Sequence, residues 1–422
     1  TVADWRFHAV GPRDGVVDVQ ALDASAGTLH VEATATADVD AQTIAADVQA
    51  RADDLRRFRD LARLADLEGA ATLGGHVVVN LAERGATGRY TVQFDRLAGF
   101  PEIALAVAGT GVRVDGELTV DDWRGIGVPT LDIRGTTTAH AAARLDLETK
   151  RWTATWRAPD LDLGLFAAHA ERPMRGRALV EGQASGALHD FSASARVEIA
   201  GLDVDATRFE AVTANADVQG LPNEPYGAIE AAVVYAGHRL TGRSDFRIEP
   251  ERWGFDGIRV DGLGFHIAGG GAVAAGSRTA TASMHGSTED LAPLGDFLGK
   301  PVEGQAEFDL RLSEHAGAQD IEITATAHDL STEFARATRL ALDGVIRDVL
   351  GTPTAAVTVE ATELVGASQA LTTATVAARG TRDQLDIEAH IESVPYTPYH
   401  VDAAATAVLL GGIQSLELTK LE

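Results

Sequence analysis

Thirteen histidines and sixty-two acidic side chains are the groups in this chain that could move protons or hold a metal ion. Their spacing along the sequence does neither. No His-Glu-x-x-His pair occurs, and His266 and His285 have no ligating neighbour four residues on, so the histidines read as surface or strand-face residues and no metal is expected. The adjacent carboxylates Asp53-Asp54 and Asp121-Asp122 lack the loop or the Gly-Asp nonapeptide that calcium requires; they read as solvated turn or helix-cap groups. Gly269-Gly270-Gly271-Ala272-Val273-Ala274 touches a dinucleotide fingerprint only as GxGxxA, without the following helix and acidic partner, and a turn or bulge is expected there. In Gly182-Gln183-Ala184-Ser185-Gly186 the serine comes one place late for a nucleophile elbow, which leaves a hairpin turn. The absence of cysteine excludes disulfides, thiolate nucleophiles and Cys-based zinc sites. No catalytic residue and no cofactor is assigned, and the chain is read as something other than an enzyme.

Charge narrows the partners. With 36 basic against 62 acidic residues the net charge is −26, and no Lys/Arg cluster interrupts it. Nucleic-acid binding needs clustered cations and is therefore excluded as an expectation, and adsorption to an anionic membrane surface is disfavoured for the same reason. No stretch reaches 18 consecutive apolar residues, and the start at Thr1 lacks the pattern of a signal peptide; the chain reads as an excised piece of a longer protein.

The elements that must position any site are strands. Apolar and polar residues alternate with period two at Glu307-Phe308-Asp309-Leu310-Arg311-Leu312-Ser313 and from Leu385 through Ile387 to Ile391. Weaker copies include Val77-Val79-Leu81, Ile103-Leu105-Val107, Leu131-Ile133, Leu145-Leu147, Val197-Ile199, Ile321-Ile323 and Val357-Val359. Two helices are expected. One runs from Asp40 to about Leu67, with Ile44, Val48, Leu55, Phe58, Leu61 and Leu64 at near-helical spacing and Gly69 beyond its end. The other runs from about Thr288 to Leu298, with Leu291, Leu294 and Phe297 on one stripe, a Ser287/Asp290 capping arrangement and Gly299 as the stop.

An internal repeat underlies this pattern. Asp54-Leu55, Asp160-Leu161 and Asp290-Leu291 each precede a short apolar stretch ending at a glycine, Gly69, Gly176 and Gly304. Trp123 and Trp253 each lie 37 residues ahead of the second and third copies, an offset of 130, whereas the first and second copies are 106 apart. The expected organisation is a partial β module over 1–50 and β-groove repeats over 51–157, 158–287 and 288–422, each unit burying its apolar face only by stacking on its neighbours.

At 422 residues the chain outgrows a single core. The helical residues are too few to cover so many strands, which leaves a sandwich, a barrel or a long sheet curled into a trough. With no linker at the repeat edges, the expected fold is all-β: a long repetitive antiparallel sheet curled into an extended hydrophobic groove with a few short helices. On the order of 18–25 strands would extend roughly 85–120 Å.

The segment Ser287 to Gly304, with Asp290-Leu291-Ala292-Pro293-Leu294 followed by Gly295, Gly299 and Gly304, resembles the recurring segment of the TamB/AsmA-like family of translocation and assembly proteins; the Asp54 and Asp160 copies are looser versions, and the strand phrases from Ala195 to Leu221 are similar. The resemblance implies a β-taco type groove in the periplasm, anchored to the inner membrane in the full-length protein, that conducts phospholipid to the outer membrane and works with an Omp85-class, TamA-like assembly factor. Lipid-groove candidates are then Val77, Val79, Leu81, Ile103, Leu105, Val107, Leu131, Ile133, Leu145, Leu147, Val197, Ile199, Phe308, Leu310, Leu312, Ile321, Ile323, Val357, Val359, Leu385, Ile387 and Ile391. The alternative is an extracytoplasmic scaffold or adhesin stalk of closed sandwiches without a groove.

Overall fold

Alternating side chains commit this chain to strands almost throughout. The computed structural model describes residues 4–59, 66–100, 102–170, 172–187, 189–205, 207–276, 279–366, 369–381, 383–393, 399–409 and 413–422. Strand makes up 77% and helix 6%, too little helix to cover a sheet of this size. The chain divides into two compact units, Thr1–Asn223 and Glu224–Glu422, with the division falling inside the 158–287 segment.

The first unit is a meander of β1 (Asp4–Arg13), β2 (Val16–Ala26), β3 (Leu29–Asp38), β4 (Thr43–Ala52), β5 (Glu68–Asn80), β6 (Gly85–Ala98), β7 (Val112–Asp121), β8 (Gly125–Arg134), β9 (Thr138–Asp146), β10 (Arg151–Asp162), β11 (Met174–Ala187), β12 (Asp190–Val204) and β13 (Thr207–Leu221). The second contains β14 (Tyr226–Tyr235), β15 (His238–Glu249), β16 (Arg252–Gly262), β17 (Phe265–Ala274), β18 (Ala280–Thr288), β19 (Val302–His315), β20 (Ala318–Thr332), β21 (Ala335–Arg347), β22 (Thr354–Gly366), β23 (Gln369–Thr381), β24 (Gln384–Ser393), β25 (Tyr399–Leu409) and β26 (Ile413–Leu421). Within each unit every strand pairs antiparallel with the next, and among the described residues no pairing joins a unit's first strand to its last. The twenty-six strands among the described residues are one more than the upper end of the expected range.

Helical segments interrupt the meander at few places: a 3₁₀ turn at Leu55–Phe58, a helix at Glu102–Ala108, a 3₁₀ turn at Leu163–Phe166 running into Ala167–Ala170, and a helix at Ala292–Leu298. In the first unit all three follow even-numbered strands, so they line one edge of its sheet and close that edge over small cores. One core gathers Ala52, Leu55, Leu67, Leu97 and Val112; the other gathers Leu161, Leu163 and Ala178.

Four expectations are corrected here. The helix drawn from Asp40 is largely strand β4: Ile44 and Val48 are four apart, a spacing that fits period two as well as 3.6, and the intervening Ala46 and Ala50 complete the alternation against Thr43, Asp47, Gln49 and Arg51. Only Leu55–Phe58 turns helically, capped by Asp54, whose Oδ1 accepts from the Arg56 amide at 3.0 Å; Leu61 and Leu64 lie outside the described residues. Conversely, the alternating Ile103 to Val107 run is a helix. Its alanines favour one, Glu102 sits in the first turn and Gly109 follows at φ +83. Finally, Gly182–Gly186 lies inside strand β11 rather than in a turn, and Gly269–Gly271 lies inside β17, with the bulge on the facing strand β16. The helix expected from Thr288 starts later, at Ala292. Thr288 ends β18, Asp290 Oδ1 accepts from the Ala292 amide at 2.9 Å, and Gly299 stops the helix in the left-handed region at φ +66.

The repeat glycines share one structural task. Gly69, Gly176 and Gly304 have φ of +129, +153 and +127, and each sits at a β-bulge just after a helical segment. A Cβ there would meet a carbonyl oxygen of the facing strand: Asp95 O at 2.9 Å, Gly201 O at 2.8 Å and His328 O at 2.7 Å. The unequal offsets have a topological cause, since six strands (β5–β10) separate the first helical segment from the Asp160 copy and eight (β11–β18) separate that copy from the third. Gly304→Ala should therefore destabilise the β19–β20 ladder by roughly 1–3 kcal/mol. Gly74→Ala, where a Cβ would meet nothing within 4 Å, should change little. Amide exchange at β19 and β20 checks the first and at β5 the second.

Candidate functional site

Opposed residues in an antiparallel ladder share a face, so the register shows what each face carries. Across β18 to β25 one row reads Met284, Leu310, Ile323, Gly344, Val357, Ala378, Ile387, Ala405. Beside it runs Gly286, Phe308, Ala325, Leu342, Val359, Val376, Ala389, Ala403. The first unit does the same from β3 to β7: Ala33, Val48, Gly75, Tyr90 and Gly116 form one row, and Ala35, Ala46, Val77, Gly88 and Leu118 the next. Each unit thus has one continuous apolar face, and the reverse face is a lattice of Asp, Glu, Arg, His and Thr.

Seventeen of the twenty-two candidates stand in these rows: Val77, Val79, Leu131, Ile133, Leu145, Val197, Ile199, Phe308, Leu310, Leu312, Ile321, Ile323, Val357, Val359, Leu385, Ile387 and Ile391. Ile133, Val197 and Ile199 pack beneath the helical segments at the covered edge. Leu81 and Leu147 do not belong: both are exposed turn residues whose amides donate across the hairpin ends, to Gln42 O at 2.9 Å and Arg124 O at 2.7 Å. Nor do Ile103, Leu105 and Val107, which are helical. Two residues on a helix is about 200° of rotation, and accordingly Leu105 packs on the first small core and Val107 on the second. The side chain of Ile103 lies outside the described residues.

Sequence alternation missed the other half of the face. Leu340, Leu342, Ile346 and Val401 belong to it through pairing with Ala327, Ala325, Ile321 and Ile391. Alanine and glycine among these rows dilute the local pattern and keep the signal low.

The apolar face is only half covered. Among the described residues no large side chain is fully buried, and Leu73, Ile229, Ile248, Trp253 and Val376 on this face are exposed. The chain exposes 26186 Å², whereas two compact globules of half its mass each would together expose about 18,700 Å².

Aromatic rings on the face lie flat. Tyr90 covers Gly116, Trp156 covers Gly182 and Phe308 covers Gly286, in each case so closely that a Cβ would collide with the ring, at 2.6 Å for Tyr90. Trp152 tilts against Phe191 at 5.0 Å between centroids.

The polar face is tied by ion pairs both along and across strands. Asp115 accepts from Arg113 at 2.9 Å, from Arg134 at 3.3 Å and from the Thr91 hydroxyl at 2.6 Å. The Arg113 hydrogen bonds foremost, then Thr91, hold its carboxyl down at about 2. Histidines meet aspartates across strands: His76 with Asp47 at 2.8 Å, His140 with Asp132 and His266 with Asp261 at 2.6 Å, and His285 with Asp309 at 3.1 Å.

No helix among the described residues is long and apolar enough to cross a membrane. Comparison with family models, characterised proteins and solved structures gives no match to this chain.

Because Asp115 titrates below an unfolded carboxylate, its stabilisation is present above about pH 4 and fades as pH falls towards about 2. In Arg113→Gln its carboxyl should move up towards 3.8, and the part of the β6–β8 ladder's stability that is lost between about pH 4 and about pH 2 should shrink. An NMR titration of the aspartate carboxyls reads both.

Proposed function

We propose that this chain is a non-enzymatic lipid conduit of the TamB/AsmA-like type, in which phospholipid acyl chains lie along the apolar face while their headgroups stay in water near its rim. The carrying observation is the half-covered apolar face: continuous rows of aliphatic side chains, none of the large ones fully buried, on a chain with far more surface than compact globules of its mass. Soluble proteins rarely leave apolar area of that extent open unless something apolar occupies it.

The energetics suit a carrier. Removing a methylene from water gains about 0.8 kcal/mol, so a two-chain lipid is held firmly by burial alone. Rows repeating at about 4.8 Å from strand to strand offer a series of near-equivalent positions, and holding a chain without pinning it requires such a series. The reverse face, strongly acidic and hydrated, keeps the sheet from adhering to anionic bilayers along its length.

In this reading the protein works in the periplasm, attached to the inner membrane in its full-length form, and passes phospholipid towards an Omp85-class outer-membrane assembly factor. The resemblance of the Ser287–Gly304 segment supports that placement.

Native mass spectrometry with lipid extraction on the chain purified from a Gram-negative host tests the reading. More than one phospholipid per chain is expected; a lipid-free, stable monomer would favour a scaffold of sealed sheets instead. Leu310→Asp and Ile387→Glu, checked for folding by circular dichroism, should lower bound lipid severalfold, while Arg311→Ser and Glu388→Gln on the reverse face should leave it unchanged. Equal losses on both faces would overturn the mechanism.

A further inference from the structure

Strands β24 and β25 carry a constellation that no linear spacing announces. Register places His390 opposite Asp402 and Glu392 opposite His400. Because residues two apart on a strand share a face, the four side chains form a square of alternating imidazole and carboxylate on the polar side. His390 Nδ1 lies 2.7 Å from Asp402 Oδ1 and its Nε2 3.6 Å from Glu392 Oε1. On the other side of the square, His400 Nε2 lies 3.2 Å from Asp402 Oδ2 and its Nδ1 3.9 Å from Glu392 Oε1. The two imidazole rings meet edge to face with centroids 4.4 Å apart.

We infer that this square binds a divalent transition-metal ion of the zinc type, at a site separate from the apolar face. Two imidazole nitrogens and a Glu392 carboxylate oxygen, with Asp402 or water as the fourth ligand, are a donor set that zinc accepts in tetrahedral geometry. Bonds of about 2.0–2.2 Å put tetrahedral ligand atoms roughly 3.4 Å apart, with one nitrogen taken from each ring. One donor atom each from His390, Glu392 and His400 already lies within 4.8 Å of the others. Imidazole donors select against calcium and magnesium, which take oxygen ligands. All four groups are half exposed, so an ion reaches them without opening the fold.

The other His–Asp contacts on the polar face sharpen the contrast. His76–Asp47, His140–Asp132, His266–Asp261 and His285–Asp309 are pairs. Among the described residues only the β24–β25 group brings three or more such donors to one point. A bound ion would cross-link the two strands side chain to side chain, independently of their backbone ladder.

Isothermal titration of the whole chain with zinc chloride, in buffer without chelator, tests the site. One ion per chain is expected, with His390→Ala and His400→Ala each weakening it at least about a hundredfold, the upper range for merely outer-shell changes. His76→Ala should leave it unchanged. Cobalt(II) substitution supplies a readout free of any variant: the intense visible absorption of a four-coordinate nitrogen/oxygen site supports the assignment. Absence of zinc binding, binding undiminished in the double His390→Ala/His400→Ala variant, or only the faint spectrum of six-coordinate cobalt would overturn it.

Discussion

Everything in this protein depends on register. An antiparallel pair fixes which residues share a face, and a slip of one position would carry every Leu, Ile and Val of a strand to the water side. Across strand after strand the pairing keeps aliphatic residues together and charged residues together. The cross-strand ion pairs reinforce the choice: Arg89 with Glu117, His140 with Asp132 and His266 with Asp261 stand opposite one another in the register observed. Individually such exposed contacts contribute little. Their effect is to penalise a slip, which would separate the paired groups.

A sheet built this way must do something with its apolar side, and the two edges of the first unit differ in what they do. On the edge after the even-numbered strands, Leu55, Leu105, Val107 and Leu163 cover the ends of the rows and supply small closed cores. Away from that edge the same rows continue with no layer above them that buries a large side chain. The bulge glycines lie where covered gives way to uncovered, immediately downstream of the helical turns at Leu55, Leu163 and Ala292. Bulges sharpen local twist and bend, and the extra residue is in the strand facing each glycine, so the repeat motif serves to bend that facing strand beside the helical plug.

Much of this was legible in the sequence. Strict alternation at Phe308–Leu312 and Leu385–Ile391 identified both strand and face, and the three Asp-Leu…Gly copies marked recurring structure. The failures share a cause. Spacing of four satisfies both periods, so Ile44 and Val48 suggested a helix until Ala46 and Ala50 were counted as apolar strand positions. Ile103, Leu105 and Val107 alternate yet lie in an alanine-rich segment between an acidic start and a glycine stop, and local propensity prevailed over period. What stayed illegible was pairing. His390 and His400 are ten residues apart with nothing in their spacing to connect them; only the β24–β25 register brings them together. The partners Leu342 and Ile346 were hidden in the same way.

The rings laid over glycines have a consequence for passage. Tyr90, Trp156 and Phe308 could have stood upright from the sheet as posts, dividing the face into compartments. With glycine beneath, each ring leans over the backbone instead, and the relief of the face there is lower than an upright ring would make it. Corrugation of that size gives low friction and little grip on chain length or unsaturation. In the conduit proposed above, the glycine–aromatic pairing would make the face fast and indiscriminate, and any selectivity for cargo would be exercised where chains enter or leave it.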